Sequence, residues 1–380
     1  MFYKIKIGGF AVEFFLNTKI LEHNSFKDFH ENFKLNNNDL ILTNEFIYDP
    51  YLLDFNLDCH KIFLERYGSG EPTDKMIDSI LNEIKDKNIS RVIAIGGGSI
   101  LDVAKILALD CNKSSANLFL KEIEPVKNKE LIAIPTTCGT GSEVTNISVA
   151  FLERENIKLG LAHKELFPDY AVLIPEFLKT LPNKFFFTSS IDALVHAVES
   201  FLSPKATFHS DIFAKNGIKL LVGGFKYLKE NGIESRDNIL MDFLRGSNLA
   251  GISFGNAGCG AVHALSYPLG GRYHIAHGES NSLLFIPTLK KYKEKMPIGK
   301  LNELEDILSD ILNVSSENSI NELEKLINSL FPKQSVAYYG IDQNLFNEFA
   351  DEVLEKQQRL LNNNYVPLTK EEIIEIYYNI

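Results

Sequence analysis

The chain has 380 residues, 45% hydrophobic and 23% charged, with a formal net charge of −11. That length and apolar content suffice for two domains, each with its own core, and exclude a disordered chain. The negative balance argues against nucleic acid as a partner, and any carboxylate ligand needs a local cation to receive it. Cys59, Cys111, Cys138 and Cys259 are scattered without a CxxC pair, which fits free thiols in a reducing cytoplasm better than a disulfide framework. Cys138 and Cys259 read as small packing residues before nucleophiles. The opening MFYKIKIGGF lacks the apolar core and cleavage site of a signal peptide. No run of about 18 uncharged apolar residues offers a membrane span. A cytoplasmic protein with no membrane partner is expected.

Phe2 to Ile7 alternates enough for a strand, with a turn at Gly8-Gly9. Residues 24 to 38 are polar and Asn-rich, a loop or a short helix. DLILTNEF is a short apolar strand ending at Thr43 and Asn44. KIFLERYGSGEP is a second strand unit, followed by the helix-like TDKMIDSILNEIKDKN with Thr73 as N-cap. RVIAIGGGSILDVAKILALD gives a strand, a glycine run and a helix. ELIAIPTTCGTGSEVTNISVA gives a strand running into a Thr/Gly-rich loop. Short apolar strands alternating with helices describe an α/β fold on a mainly parallel sheet, whose ligands bind beyond the carboxyl ends of the strands.

Both polar loops fall at such ends. Gly96, Gly97, Gly98 and Ser99 leave room for phosphate oxygens at backbone N–H groups, and the next helix adds its positive end. A tight strand-to-helix turn explains that string alone equally well. Thr136, Thr137, Thr140 and Ser142 add hydroxyls from the second loop, and two such loops favour a dinucleotide. Asn44 is placed to reach a ribose hydroxyl, which favours NAD(H) over NADP(H).

VLIPEFLKTLP leads to a boundary near residue 185, giving an α/β domain over 1–185 and a helical domain over 186–380. TSSIDALVHAVESFLS, residues 188 to 203, has helical period, with Thr188, Ser189 and Ser190 as cap candidates and Pro204 closing the run. Asp192 and His196 stand one turn apart on one face, where they can share a cation or be an ordinary polar pair. GNAGCGAVHALSYPLGGRYHIAHGES, residues 255 to 280, adds His263, His274 and His277 among small residues. The two stretches together suggest a buried metal site. The tail, with KLNELEDILSDIL and SINELEKLINSLF, is helical by period.

In order along the chain, GGGSILD, PTTCGTGSE, DALVHA and VHALSYPLGGRYHIAHG make it resemble the iron-containing (group III) alcohol dehydrogenases. The resemblance implies an N-terminal dinucleotide-binding α/β domain, an all-α C-terminal domain and catalysis in the cleft between them. It implies metal ligands Asp192, His196, His263 and His277, and cofactor loops at Gly96 to Ser99, Asp102 and Thr136 to Ser142. It suggests Fe(II), while three imidazoles and a carboxylate equally suit Zn(II) or Mn(II). It also implies a homodimer or larger homo-oligomer.

ILTNEF, YGSGEP, IPEF and QQRLLNNNY resemble the branch that interconverts 4-hydroxybutyrate and succinic semialdehyde by hydride transfer. Arg272, between the metal histidines, is the expected receiver of the substrate carboxylate, or else a surface arginine. Many alcohol-oxidising relatives have a second histidine where this chain has Tyr267. The proton relay then falls to Tyr267, to His274, or to ribose hydroxyls and water. Another short-chain alcohol or diol as substrate, a dehydroquinate synthase-like lyase, and a nucleotide sensor are the competing functions.

Overall fold

The computed structural model describes residues 13–111 and 113–380. The strand expected over Phe2 to Ile7 and the turn at Gly8-Gly9 lie outside them. The eight strands of the described residues are β1 (Lys19–Glu22), β2 (Asp39–Thr43), β3 (His60–Phe63), β4 (Arg91–Gly96), β5 (Glu130–Pro135), β6 (Ile147–Leu152), β7 (Ile157–Ala162) and β8 (Tyr170–Leu173). Between them run α1 (Phe26–Phe33), α2 (Glu45–Tyr51), α3 (Asp74–Ile84), α4 (Gly98–Leu107) and α5 (Ala116–Phe119). The Asn-rich stretch thus holds α1, capped by Ser25, whose Oγ accepts from Asp28 N. Thr73 caps α3 as its sequence implies, accepting from Met76 N.

Six strands form one sheet in the order β1-β8-β5-β4-β2-β3, each pairing parallel. Its inner strands β8, β5, β4 and β2 read as apolar runs because both faces are covered. Leu40, Leu42, Val92 and Ala94 face a core with Met76, Ile77 and Ile80 of α3 and Ile100 to Leu107 of α4. Ile41, Ile93, Ile95, Ile132 and Ile134 face the other way, onto Phe26 and Phe29 of α1 and Ile47 and Tyr48 of α2. The period-2 alternation of the pleat thereby fills two cores from one strand set.

The sequence reading leaves residues 147–150 in a polar loop and sees no strand after them. The structure instead forms an antiparallel hairpin of β6 and β7. Its signal is weak because β7 is mostly exposed and carries no apolar run. Phe151 N donates to Pro72 O at 2.8 Å, which fastens the hairpin to the segment before α3.

After β8 the described chain has only helices: α6 (Asn183–Leu202), α7 (Phe208–Asn231), α8 (Leu240–Ala257), α9 (Ala261–Tyr273), α10 (His277–Lys295), α11 (Lys300–Leu312), α12 (Ser319–Leu330), α13 (Phe346–Lys356), α14 (Gln358–Leu361) and α15 (Lys370–Tyr378). α6 is the hub, packed by α7, α8 and α10. It starts directly after Pro182, before the expected caps. Thr188, Ser189 and Ser190 are therefore interior, and their hydroxyls donate back to carbonyls of Lys184 and Phe186. Among the described residues α6 alone is long and apolar enough to cross a membrane, yet 89% of that window is buried in the protein. It is a core helix.

Candidate metal and cofactor site

The glycine run ends β4 at Gly96, sets Gly97 as N-cap and opens α4 at Gly98. Gly96 pairs with Pro135 across the sheet, so the Thr/Gly loop after β5 starts beside the glycine run. The loops touch: a Cβ on Gly98 would come within 2.9 Å of Thr140 Cγ2. The unpaired amides at the start of α4 and its dipole are thus available to a phosphate, with the Thr136, Thr137 and Thr140 segment alongside. Ser99 lies in the first turn of α4. Asn44, at the end of β2, donates to Glu65 Oε2 at 2.7 Å, so part of its amide is already engaged.

Asp102 and Ser142 face inward. Ser142 Oγ donates to Asp102 Oδ1 at 2.7 Å, and Val149 N donates to Asp102 Oδ2 at 3.0 Å. Beneath them Lys105, fully buried, donates to Ser142 Oγ (2.6 Å), Thr145 Oγ1 (3.1 Å) and Ile147 O (2.5 Å). Burial pulls Lys105 below the usual lysine range, with Asp102 opposing. Burial pushes Asp102 upward, with Lys105 opposing. These residues tie α4, the second loop and β6 together behind the cofactor loops. Sequence reasoning missed Lys105; the available signal was an Asp/Lys pair three apart on an apolar helix.

Four side chains able to ligate a metal meet from three helices. α6 presents Asp192 and His196, α9 His263, and α10 begins with His277. One ligand atom from each lies within 4.8 Å of all the others. His263 Nε2 is 2.9 Å from His196 Nε2, and Asp192 Oδ1 is 3.9 Å from His263 Nε2 and 3.7 Å from His277 Nε2. Asn281 Nδ2 donates to Asp192 Oδ1 at 2.7 Å. Asp192, His196 and His263 are buried, whereas the His277 side chain is 48% exposed, so the cluster opens on that side. Gly278 allows the approach of α10: a Cβ there would lie 2.5 Å from Thr188 O.

Burial drives His196 down to about 3, against Asp192, and the neighbouring imidazoles add to the fall. Burial lowers His277 as well. For Asp192 burial works upward, but the three imidazoles outweigh it and the carboxyl stays below its usual range. An ionised Asp192 and neutral His196 and His277 are the protonation states a metal requires of them, whereas at His263 burial is outweighed by Cys259 and Glu199, which hold that imidazole above its usual range. The buried Nδ1 of His196 has no hydrogen-bond partner among the described residues. Three nitrogens and one carboxylate oxygen, crowded without charge compensation, fit a divalent first-row metal.

The four-residue cluster and the two strand-end loops are neighbours. A Cβ on Gly139 would come within 2.8 Å of Ser189 Cβ, so the second loop rests on α6 one turn before Asp192. Tyr267 is one turn beyond His263 and 39% exposed. Two expected residues are not brought in. His274 is the exposed, left-handed residue ending α9, with φ 53°. Arg272 donates to Glu348 and Glu352 at 3.1 Å each and lies over the Phe349 ring, so α13 already holds it. Nine residues after His263 on α9, Arg272 also projects from roughly the opposite side of that helix, which argues against the carboxylate-clamp role expected for it. Cys138 is buried and its thiol is pushed up to about 12 by burial, in keeping with packing.

Residues 17–175 match the family described as iron-containing alcohol dehydrogenase, and residues 186–380 match its C-terminal part. The chain is 49% identical to 4-hydroxybutyrate dehydrogenase of Clostridium kluyveri, over 92% of this chain and 95% of that protein. It is 35% identical to long-chain-alcohol dehydrogenase 1 of Geobacillus thermodenitrificans, over 77% of this chain and 75% of that one. Its fold matches that of sulfoacetaldehyde reductase from Bifidobacterium kashiwanohense, solved in complex with NAD+, with a TM-score of 0.84 at 22% identity, covering 97% and 98% of the two chains.

Proposed function

Since the chain belongs to the iron-containing alcohol dehydrogenase family, we propose that it interconverts 4-hydroxybutyrate and succinic semialdehyde with NAD(H). One observation carries the chemistry: the four-ligand cluster is packed against the second cofactor loop at Gly139 and Ser189. The extent of identity to the Clostridium kluyveri enzyme supports the substrate. Fe(II) in preference to Zn(II) or Mn(II), and NAD(H) in preference to NADP(H), belong to the proposal. So do a domain boundary near residue 185, a cytoplasmic location and a homodimer or larger homo-oligomer.

Asp192, His196, His263 and His277 would hold the metal, which when bound polarises a carbonyl as a Lewis acid, while the reduced nicotinamide supplies hydride. Gly97, Gly98 and Ser99 offer backbone N–H groups to the pyrophosphate, and Thr136, Thr137 and Thr140 line the path beside them. Burial of Asp192, His196 and His263 excludes water from three sides of the cluster and leaves access past His277. Tyr267 is a wall aromatic, since a phenol relays protons less well than imidazole near neutral pH. Ribose hydroxyls and water are left to carry the proton.

We propose Lys158 on β7 as the receiver of the substrate carboxylate, because it and Glu71 are charged groups outside the cluster that act on His277. Lys158 Nζ lies 2.5 Å from Glu71 Oε1, an exposed partner that a substrate anion can replace. Lys158→Met is expected to raise KM for succinic semialdehyde about tenfold, the scale of one charge-assisted hydrogen bond, while sparing butanal. Arg272→Ala should change neither. A rise in KM for NADH, with both aldehydes affected equally, would assign Lys158 to the cofactor instead.

The function itself is tested by following NADH oxidation in anaerobically purified, Fe(II)-loaded protein given succinic semialdehyde. Rapid oxidation that chelation abolishes is expected. Turnover of uncharged alcohols or aldehydes with none of succinic semialdehyde would keep the family and refute the substrate.

A further inference from the structure

α6 carries a third polar residue on its metal-facing stripe. Asp192, His196 and Glu199 stand at i, i+4 and i+7, one face of the helix. Glu199 is only 5% exposed. An isolated carboxylate there would be costly, so its partners are informative. Val262 N donates to Oε1 at 2.6 Å and Gly260 N donates to Oε2 at 3.0 Å, both at the start of α9. The third partner is His263, whose Nδ1 lies 2.6 Å from Oε2. A carboxylate can only accept, so His263 Nδ1 carries a proton, and its Nε2 faces His196 and Asp192.

We propose that Glu199 is a positioning residue: it selects the tautomer and fixes the ring of His263 so that Nε2 is presented to the metal. The inference rests on the metal-site reading above. Its physical basis is that an outer carboxylate orients a ligating imidazole and raises its basicity. Here the same carboxylate also pins the start of α9 to α6, so one side chain sets the distance between ligands on two helices. There is little freedom in the arrangement, because a Cβ on Gly260 would come within 3.3 Å of Glu199 Oε1. The α9 start has a second anchor, Ala261 N donating to Asn364 Oδ1 at 3.2 Å, with Tyr292 Oη on the same oxygen. The turn therefore does not depend on Glu199 alone.

Glu199→Gln separates the roles. With its amide oxygen at the Oε2 position it keeps Gly260 N and His263 Nδ1 but turns its NH2 against Val262 N; reversed, it turns its NH2 against His263 Nδ1. In either orientation His263 loses the charged acceptor that orients its ring and raises the basicity of Nε2. Apoprotein is titrated with Co(II), reading the visible absorption band and competition with a chelator, alongside wild type and His263→Ala. One Co(II) per wild-type chain, none in His263→Ala, and about 10–100-fold weaker binding in Glu199→Gln are expected. Wild-type affinity in Glu199→Gln would overturn the proposal and leave Glu199 an anchor of α9. Failure of the wild type to bind Co(II) would refute the metal reading and this inference with it. If Glu199→Gln does not fold, two-bond 1H–15N spectra of Zn(II)-loaded wild type decide: a His263 proton on Nδ1 supports the assignment, and one on Nε2 overturns it.

Discussion

His263→Ala is expected to lose bound metal and NADH-dependent turnover together. The ring is buried and supplies an Nε2 lying 2.9 Å from that of His196 and 3.9 Å from Asp192 Oδ1. Without it, Asp192 and His196 face a gap that water fills only in part, and Glu199 keeps backbone partners alone. Lewis-acid assistance is worth several kcal/mol, so turnover should fall by about 10³-fold or more. Metal content by elemental analysis should fall from about one per chain to below a tenth, the scale of losing one ligand of four. His277→Ala is the sharper test of the ligand set. Its side chain is 48% exposed, so truncation costs little stability. A His277→Ala protein that retained both metal and rate would remove His277 from the set.

What the sequence reveals of this site follows from where its geometry is local. Asp192 and His196 are visible as a pair because a helix converts four residues of spacing into one face. Glu199 obeys the same rule one turn later but does not stand out in the sequence, since nothing along the chain shows that α9 covers it. Arg272 is misplaced for the opposite reason. It lies between His263 and His277 in the chain, yet its position on α9 turns it toward Glu348 and Glu352 of α13. Nearness along the chain stood in for nearness in space. The parallel sheet is legible because strands buried on both faces are unbroken apolar runs, whereas β7 has an exposed pattern and gives no such run. Thr188 to Ser190 look like caps because hydroxyls favour helix starts, but Pro182 and the buried Phe186 and Phe187 begin α6 earlier.

Lys105→Met is expected to give the largest loss of stability outside the metal cluster, about 3–5 kcal/mol, the cost of removing one partner from a buried charged pair. The ammonium is fully buried and satisfies three acceptors, Ser142 Oγ, Thr145 Oγ1 and Ile147 O, with Asp102 Oδ1 3.6 Å away. Methionine fills a similar volume but donates nothing, so those three oxygens lose a donor and Asp102 its neighbouring positive charge at once. Because Ser142 and Asp102 join the second loop to α4, the damage should spread to the cofactor loops and raise KM for NADH, while metal content stays near one per chain. Adding Asp102→Asn removes the stranded charge, so the double variant should be less destabilised than the two single losses added together. Denaturant unfolding of the four proteins measures this coupling. A Lys105→Met protein that unfolds at the wild-type midpoint and binds NADH normally would show that the buried lysine fills space without holding the loops. The predicted combination, lower stability and weaker cofactor binding with the metal retained, separates the brace behind the loops from the ligand cluster beside them.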